Sequence, residues 1–143
     1  MTAEADMKAA IRAGYAARLA EDVPKMLSFF TEDAEFAFNV EGLNLTGDGA
    51  PVRGRKALEA IFTALVAAFK IEDWTEISLT AEGDRAVLHW RATVKSTKTG
   101  ASSLFDVVDL VTFRDGLFAS LYQHTDTAKL AAIAGPGALL ASA

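Results

Sequence analysis

Ser102-Ser103-Leu104-Phe105-Asp106-Val107-Val108-Asp109-Leu110-Val111-Thr112-Phe113-Arg114-Asp115-Gly116 alternates between two faces and then stops at a turn. Successive side chains of a strand point to opposite sides, so Val107, Asp109, Val111 and Phe113 share one face. Asp106, Val108, Leu110 and Thr112 share the other. The neighbouring segments have the same build. Trp74 to Glu82 ends at Gly83-Asp84, Arg85 to Thr97 ends at Lys98-Thr99-Gly100, and Leu117 to Thr125 follows Asp115-Gly116. Four strands joined by short turns predict an antiparallel meander.

Upstream of the meander the period changes to that of helices. Met7, Ile11, Tyr15 and Leu19 recur every four residues, with Lys8, Arg12 and Glu21 off the stripe. Asp22-Val23-Pro24 reads as a helix start, and the short helix that follows carries Met26, Leu27, Phe29 and Phe30. Glu35 to Asn39 then reads as a short strand. Residues 40 to 54 hold Gly42, Gly47, Gly49, Gly54 and Pro51, and predict a long loop or flap. A third helix starts near Gly54, with Leu58, Ile61, Phe62, Leu65, Val66 and Phe69 on one side. Asp126 can cap a last short helix through Ala134. Residues 1–134 thus make one domain, and 135–143 a flexible tail. Helices followed by a meander make an α+β fold. Its sheet must curl so that the three N-terminal helices cover one face, which leaves a conical interior.

Composition narrows the chemistry. The 143 residues are 51% hydrophobic, enough for an ordinary single core, and carry 14 basic against 19 acidic side chains for a net charge of −5. That balance disfavours nucleic acid or an anionic membrane as partner, since both recruit clustered Lys and Arg. There is no Cys, and His89 and His124 are the two histidines, so no metal site is expected. The N-terminal residues are acidic, without the order of a signal peptide, and Ala60 to Phe69 is half the length of a membrane span. A cytoplasmic location is the expectation. Gly42, Gly47 and Gly49 do not form a dinucleotide turn, and Ser102-Ser103 lacks a nucleophile elbow. Arg53, Arg55 and Lys56 at a helix start are a weak anion signal.

The ordered series Tyr15-x3-Leu19-x2-Asp22-Val23, Leu27-x-x-Phe30-x-x-Asp33-Ala34-x-Phe36 and Val52-Arg53-Gly54-Arg55-x-Ala57-Leu58 carries a resemblance. Gly83 to Val87, Trp90 to Thr93 and Asp109-x3-Phe113-Arg114-Asp115-Gly116 continue it. Over about residues 5 to 134 the chain resembles the nuclear-transport-factor-2-like superfamily, in its ketosteroid-isomerase-like and SnoaL-like polyketide-cyclase branch. The resemblance implies a cone with a deep apolar pocket, a homodimer through the outer sheet face, and no cofactor. Ketosteroid isomerases place an Asp base where this chain has Phe38, so steroid isomerisation by that mechanism is not expected. Their first-helix Tyr donor falls on Gly14, with Tyr15 one place later. Their second donor, an Asp held protonated by apolar surroundings, falls on Asp109.

The residues support two functions. Asp109, set among Val, Phe and Trp90, would be a desolvated carboxyl suited to acid–base work, with Tyr15 as the hydrogen-bond donor. This describes an isomerase, cyclase or lyase acting on a small apolar carbonyl compound. The alternative is a non-catalytic module that binds a hydrophobic ligand. Phe36, Phe38, Phe62 and Trp90 would line the pocket in either case. One turn decides the last strand. A two-residue turn at Asp115-Gly116 would put Tyr122 opposite Asp109 and His124 in the pocket as a further catalytic candidate; a three-residue turn would bring Leu121, Gln123 and Thr125 inward. Val108 and Leu110, on the opposite face, are the apolar hint of a dimer.

Overall fold

The structure, a computed structural model, describes residues 3–38 and 51–135. Helix α1 (Glu4–Leu19) leads through helix α2 (Val23–Leu27) to strands β1 (Phe30–Phe38) and β2 (Val52–Arg53). Helix α3 (Arg55–Ala68) is followed by β3 (Phe69–Glu82), β4 (Arg85–Ser96), β5 (Ser102–Arg114), β6 (Leu117–His124) and helix α4 (Thr127–Ala134). All six strands form one sheet in the order β2-β1-β6-β5-β4-β3. The sheet is curved, and the helices pack on its concave face.

Burial follows the period-two pattern of β4 and β5. Ala86, Leu88, Trp90, Ala92 and Val94 are buried, as are Phe105, Val107, Asp109, Val111 and Phe113. Met7 and Ile11 of α1, Leu58 and Phe62 of α3, and Leu130 and Ile133 of α4 meet them in one core. The α1 stripe is shorter than its spacing implies, for Leu19 is 41% exposed and Ala17 is buried instead. Asp22 and Asp126 do cap: each side chain accepts from a backbone N–H three residues on, Lys25 at 3.1 Å and Lys129 at 2.9 Å.

Three boundaries differ from the sequence expectation, and in each case strand pairing decides the outcome. Helix α2 stops at Leu27 and does not reach Phe30. The Ser28 hydroxyl donates to the Lys25 carbonyl at 2.6 Å, and β6 captures the next residues through Phe118 N–H to Phe29 O at 2.8 Å. Phe69 keeps its apolar burial, but its backbone is extended and pairs with Ser96. The third strand therefore begins there and not at Trp74. Val52 and Arg53, expected in the loop, pair with Phe36 and Glu35 as strand β2. The rest of that loop, residues 39–50, and the tail beyond Gly135 lie outside the described residues.

The last hairpin resolves the open choice in a way neither alternative contained. Arg114 pairs with Leu117 across a two-residue turn in which Asp115 and Gly116 both have positive φ, 53° and 80°. This is the mirror-image turn that suits strand twist. Phe113 then pairs with Phe118, but Thr112 pairs with Ser120, so Ala119 is a surplus residue forming a β-bulge. The bulge shifts register by one and reverses every face beyond it. Leu121 lies opposite Val111 and Gln123 opposite Asp109, both pointing inward. His124 pairs with Val108 and is exposed on the outer face, so its candidacy as a pocket residue is withdrawn despite the two-residue turn.

Candidate active site

The helices and the curled sheet line a partly open cavity of about 120 Å³, close to the size that admits a benzene ring. Its wall is aromatic on the β1 and α3 side. Phe36 and Phe62 meet edge to face at 5.2 Å between ring centres, and Phe36 and Phe38 do so at 6.3 Å. Leu121, Gln123 and Trp90 line the wall contributed by the meander. Every pocket residue expected from the sequence except His124 borders this cavity.

At one end sits a closed polar cluster. Asp109 on β5 is fully buried and accepts from three donors. The Tyr15 hydroxyl donates to Oδ2, Trp90 Nε1–H also reaches Oδ2 at 3.0 Å, and Gln123 Nε2 donates to Oδ1 at 2.9 Å. The phenol oxygen in turn accepts from Trp90 at 3.0 Å and Gln123 at 3.1 Å. Four elements contribute one residue each, and the antiparallel register explains why they meet. Leu88 and Gln123 flank Asp109 directly on β4 and β6, and Trp90 lies two residues along the inward face of β4. Tyr15 comes down from α1, its ring stacked on Trp74 at 5.3 Å.

Burial pushes the Asp109 carboxyl up to about 6, and the hydrogen bonds from Tyr15, Gln123 and Trp90 hold it from rising further. Burial, then the adjacent Asp109 charge, raises the Tyr15 phenol well above its ordinary value. At neutral pH the cluster therefore holds an ionised Asp109 and a neutral Tyr15 whose hydrogen is given to the carboxylate. Among the described residues Oδ1 accepts a single bond, of the about four acceptor sites a carboxylate offers.

Sequence reasoning missed Arg18 and Trp74. Arg18 lines the cavity three residues after Tyr15, on the same helical face, and that i, i+3 spacing was the available signal. Trp74 buries an indole N–H that has no acceptor among the described residues. Elsewhere, His89 faces outward as expected, its Nε2 lying 2.8 Å from Asp106 Oδ1. Arg53 of β2 and Arg55 at the start of α3 are engaged by Glu35 and Glu32. Among the described residues no three His, Asp or Glu side chains converge as metal ligands, and no helix is long and apolar enough to cross a membrane.

Residues 11–121 match the model of the SnoaL-like domain. The chain belongs to the SnoaL-like family. No curated protein matches it. Among solved structures, this SnoaL-like chain is similar to an NTF2-like protein of unknown function from Burkholderia pseudomallei, with 19% identity and a TM-score of 0.78. That match covers 93% of this chain and 98% of the other. A Bacillus subtilis protein provisionally named an isomerase gives a TM-score of 0.81 at 14% identity, over 92% and 95% of the two chains. A Jannaschia protein provisionally named a SnoaL-like polyketide cyclase gives 0.75 at 18% identity, over 92% and 94%. At these identities the likeness establishes the fold.

Within the SnoaL-like cone, Gly14 of α1 lies close against β6. A Cβ added at Gly14 would lie 3.3 Å from Phe118 Cε2, closer than such contacts usually run. The helix is seated tightly on β6 at that point, and the phenol enters from the next position along.

Proposed function

We propose that this protein is a cofactor-independent enzyme of the isomerase or cyclase kind, acting on a small, largely apolar carbonyl compound bound in the cone. The observation that carries the reading is the buried Tyr15–Asp109 pair at the end of an aromatic cavity, with the carboxyl poised at about 6. A group whose pKa lies near the working pH can both take and return a proton. Among the described residues lining the cavity, Asp109 is the one carboxyl.

The pair couples two events. As a carboxylate, Asp109 removes a proton from the carbon next to the carbonyl, leaving an enolate. Once protonated, it no longer needs the Tyr15 hydrogen and can donate to the phenol oxygen. The Tyr15 O–H is then free to turn to the enolate oxygen, where the negative charge has developed. Return of the proton to a different carbon completes an isomerisation; in a cyclisation the enolate carbon attacks a second carbonyl, and the Asp109 proton goes to the alkoxide that forms. Phe38, which lines the cavity where ketosteroid isomerases place their base, leaves Asp109 to perform both transfers.

A specific feature favours a second reading. Each donor in the cluster already has an acceptor inside it, as in a structural network, which suits a non-catalytic module for a hydrophobic ligand. Native mass spectrometry of the freshly purified protein, followed by identification of anything bound, supplies the compound to assay. With that substrate, Tyr15→Phe is expected to lower turnover about 10²-fold. It should also move the acidic limb of the pH–rate profile upward, because Asp109 loses a bond that favours its charged form. A Tyr15→Phe variant with unchanged turnover and an unmoved limb would leave the binding module as the reading.

A homodimer through the outer sheet face and a cytoplasmic location complete the proposal. Val87 and Leu110 are cross-strand neighbours, 41% and 42% exposed, and Leu104 is 54% exposed. Contiguous apolar side chains on one sheet face mark an association surface. Light scattering is expected to give twice the chain mass at micromolar concentration, and Leu110→Lys to give one chain mass. A monomeric wild type removes the dimer.

A further inference from the structure

Among the described residues lining the aromatic cone Arg18 is the one cation, and it makes no hydrogen bond to the acid–base cluster. Arg18 lines the cavity from the last turn of α1, three residues beyond Tyr15, which places it roughly 4.5 Å further along the helix axis. Its Nη2 donates to the Phe69 carbonyl at 3.0 Å. A guanidinium has five N–H donors, and among the described residues the others have no acceptor, nor does any carboxylate pair with it. The neighbouring acid, Glu21, accepts from Lys70 at 2.6 Å and acts on Arg18 through space, without a hydrogen bond. The other donors around the cavity are committed: Tyr15, Trp90 and Gln123 all give to Asp109 or to one another. Arg18 is thus the donor group with spare capacity, and it is half-buried beside apolar walls, where a charge-assisted bond gains most.

The structure assigns Arg18 as the receptor for an anionic oxygen of the ligand, so that the cone takes an apolar acid, not a neutral ketone. This rests on the reading of the cone as a ligand pocket and adds an orientation to it. The carboxylate of Asp109 repels an anion from its own end of the cavity. An apolar acid therefore enters with its anionic group at Arg18 and its ring toward Asp109 and Tyr15. The planar fork of the guanidinium suits a carboxylate.

Benzoate and benzamide test this, being nearly identical in shape, different in charge and matched to a cavity of about 120 Å³. Titrations followed by the Trp90 indole N–H resonance report entry into the cone. Benzoate is expected to bind about tenfold more tightly than benzamide, and Arg18→Met to abolish that preference. Arg18→Lys should keep part of the preference, and thermal melts show that both variants fold. A preference that survives Arg18→Met, or benzamide binding as well as benzoate to the wild type, overturns the assignment and leaves an open pocket. Failure of both compounds to move the indole resonance overturns the assignment and the open pocket together.

Discussion

Asp109→Asn is expected to lower turnover about 10²–10⁴-fold, because an amide cannot take the proton that starts the reaction. The same substitution has a second signature that needs no substrate. The folded carboxyl titrates at about 6, against an ordinary 3.8. Between those values the folded state keeps a proton that the unfolded chain has released. Stability therefore falls as pH rises through this window, by a cost on the order of 3 kcal/mol. An asparagine removes that dependence. It also orphans part of the donor set, a penalty of about 1–3 kcal/mol that is present at every pH. The variant should thus be the less stable protein at pH 4, with the gap closing or reversing by pH 7. Asp33 and Asp106 shift in the opposite sense through Arg114 and His89, but both proteins contain them, so they cancel in the difference. Thermal midpoints of the two proteins from pH 4 to 8 are the measurement. Parallel curves would show that Asp109 does not hold a raised pKa.

Phe105→Ala is expected to destabilise the fold by about 3–5 kcal/mol, a large share of a typical total of 5–15. Phe105 is among the largest fully buried side chains and carries Lys129 Nζ over its ring at 5.4 Å. It also borders the cavity, so truncation extends an existing space instead of sealing off a new one. That geometry provides a control. Benzene at saturating concentration should recover part of the lost midpoint in the variant, since a ligand that binds the folded state alone stabilises it by mass action. Chemical denaturation with and without benzene checks both claims. A loss under about 1 kcal/mol would mean that α4 and β5 close over the gap.

The site was legible in the sequence to the extent that it depends on alternation. Asp109, Trp90, Leu88 and Val111 are inward because β4 and β5 pair without interruption, and a period of two read from any one of them fixes the rest. Tyr15 was legible from its stripe on α1, although the same stripe misplaced Leu19. What escaped were properties set by partners far away in sequence. Phe30 and Phe69 are apolar residues at the ends of helical runs, and only pairing with Phe118 and Ser96 makes them strand. His124 was lost because turn length and register were treated as one variable, and a bulge separates them. Arg18 went unremarked because a cation on a helix is ordinarily at the surface; its position against the cavity depends on how α1 is seated.

Ala119 pairs with no residue on either side: Phe118 lies beside Phe30 and Phe113, and Ser120 beside Glu35 and Thr112. The strand consequently carries one residue that no ladder counts. Omitting it would splice Phe118 onto Ser120 with the odd–even order of β6 unbroken, so that Leu121 and Gln123 would still face the cavity and His124 the outside. Most central strands are intolerant of any change in chain length, because one step reverses everything downstream. Here a central strand has a place where its length is free to vary by one, and the polar cluster beneath it is insulated from the difference.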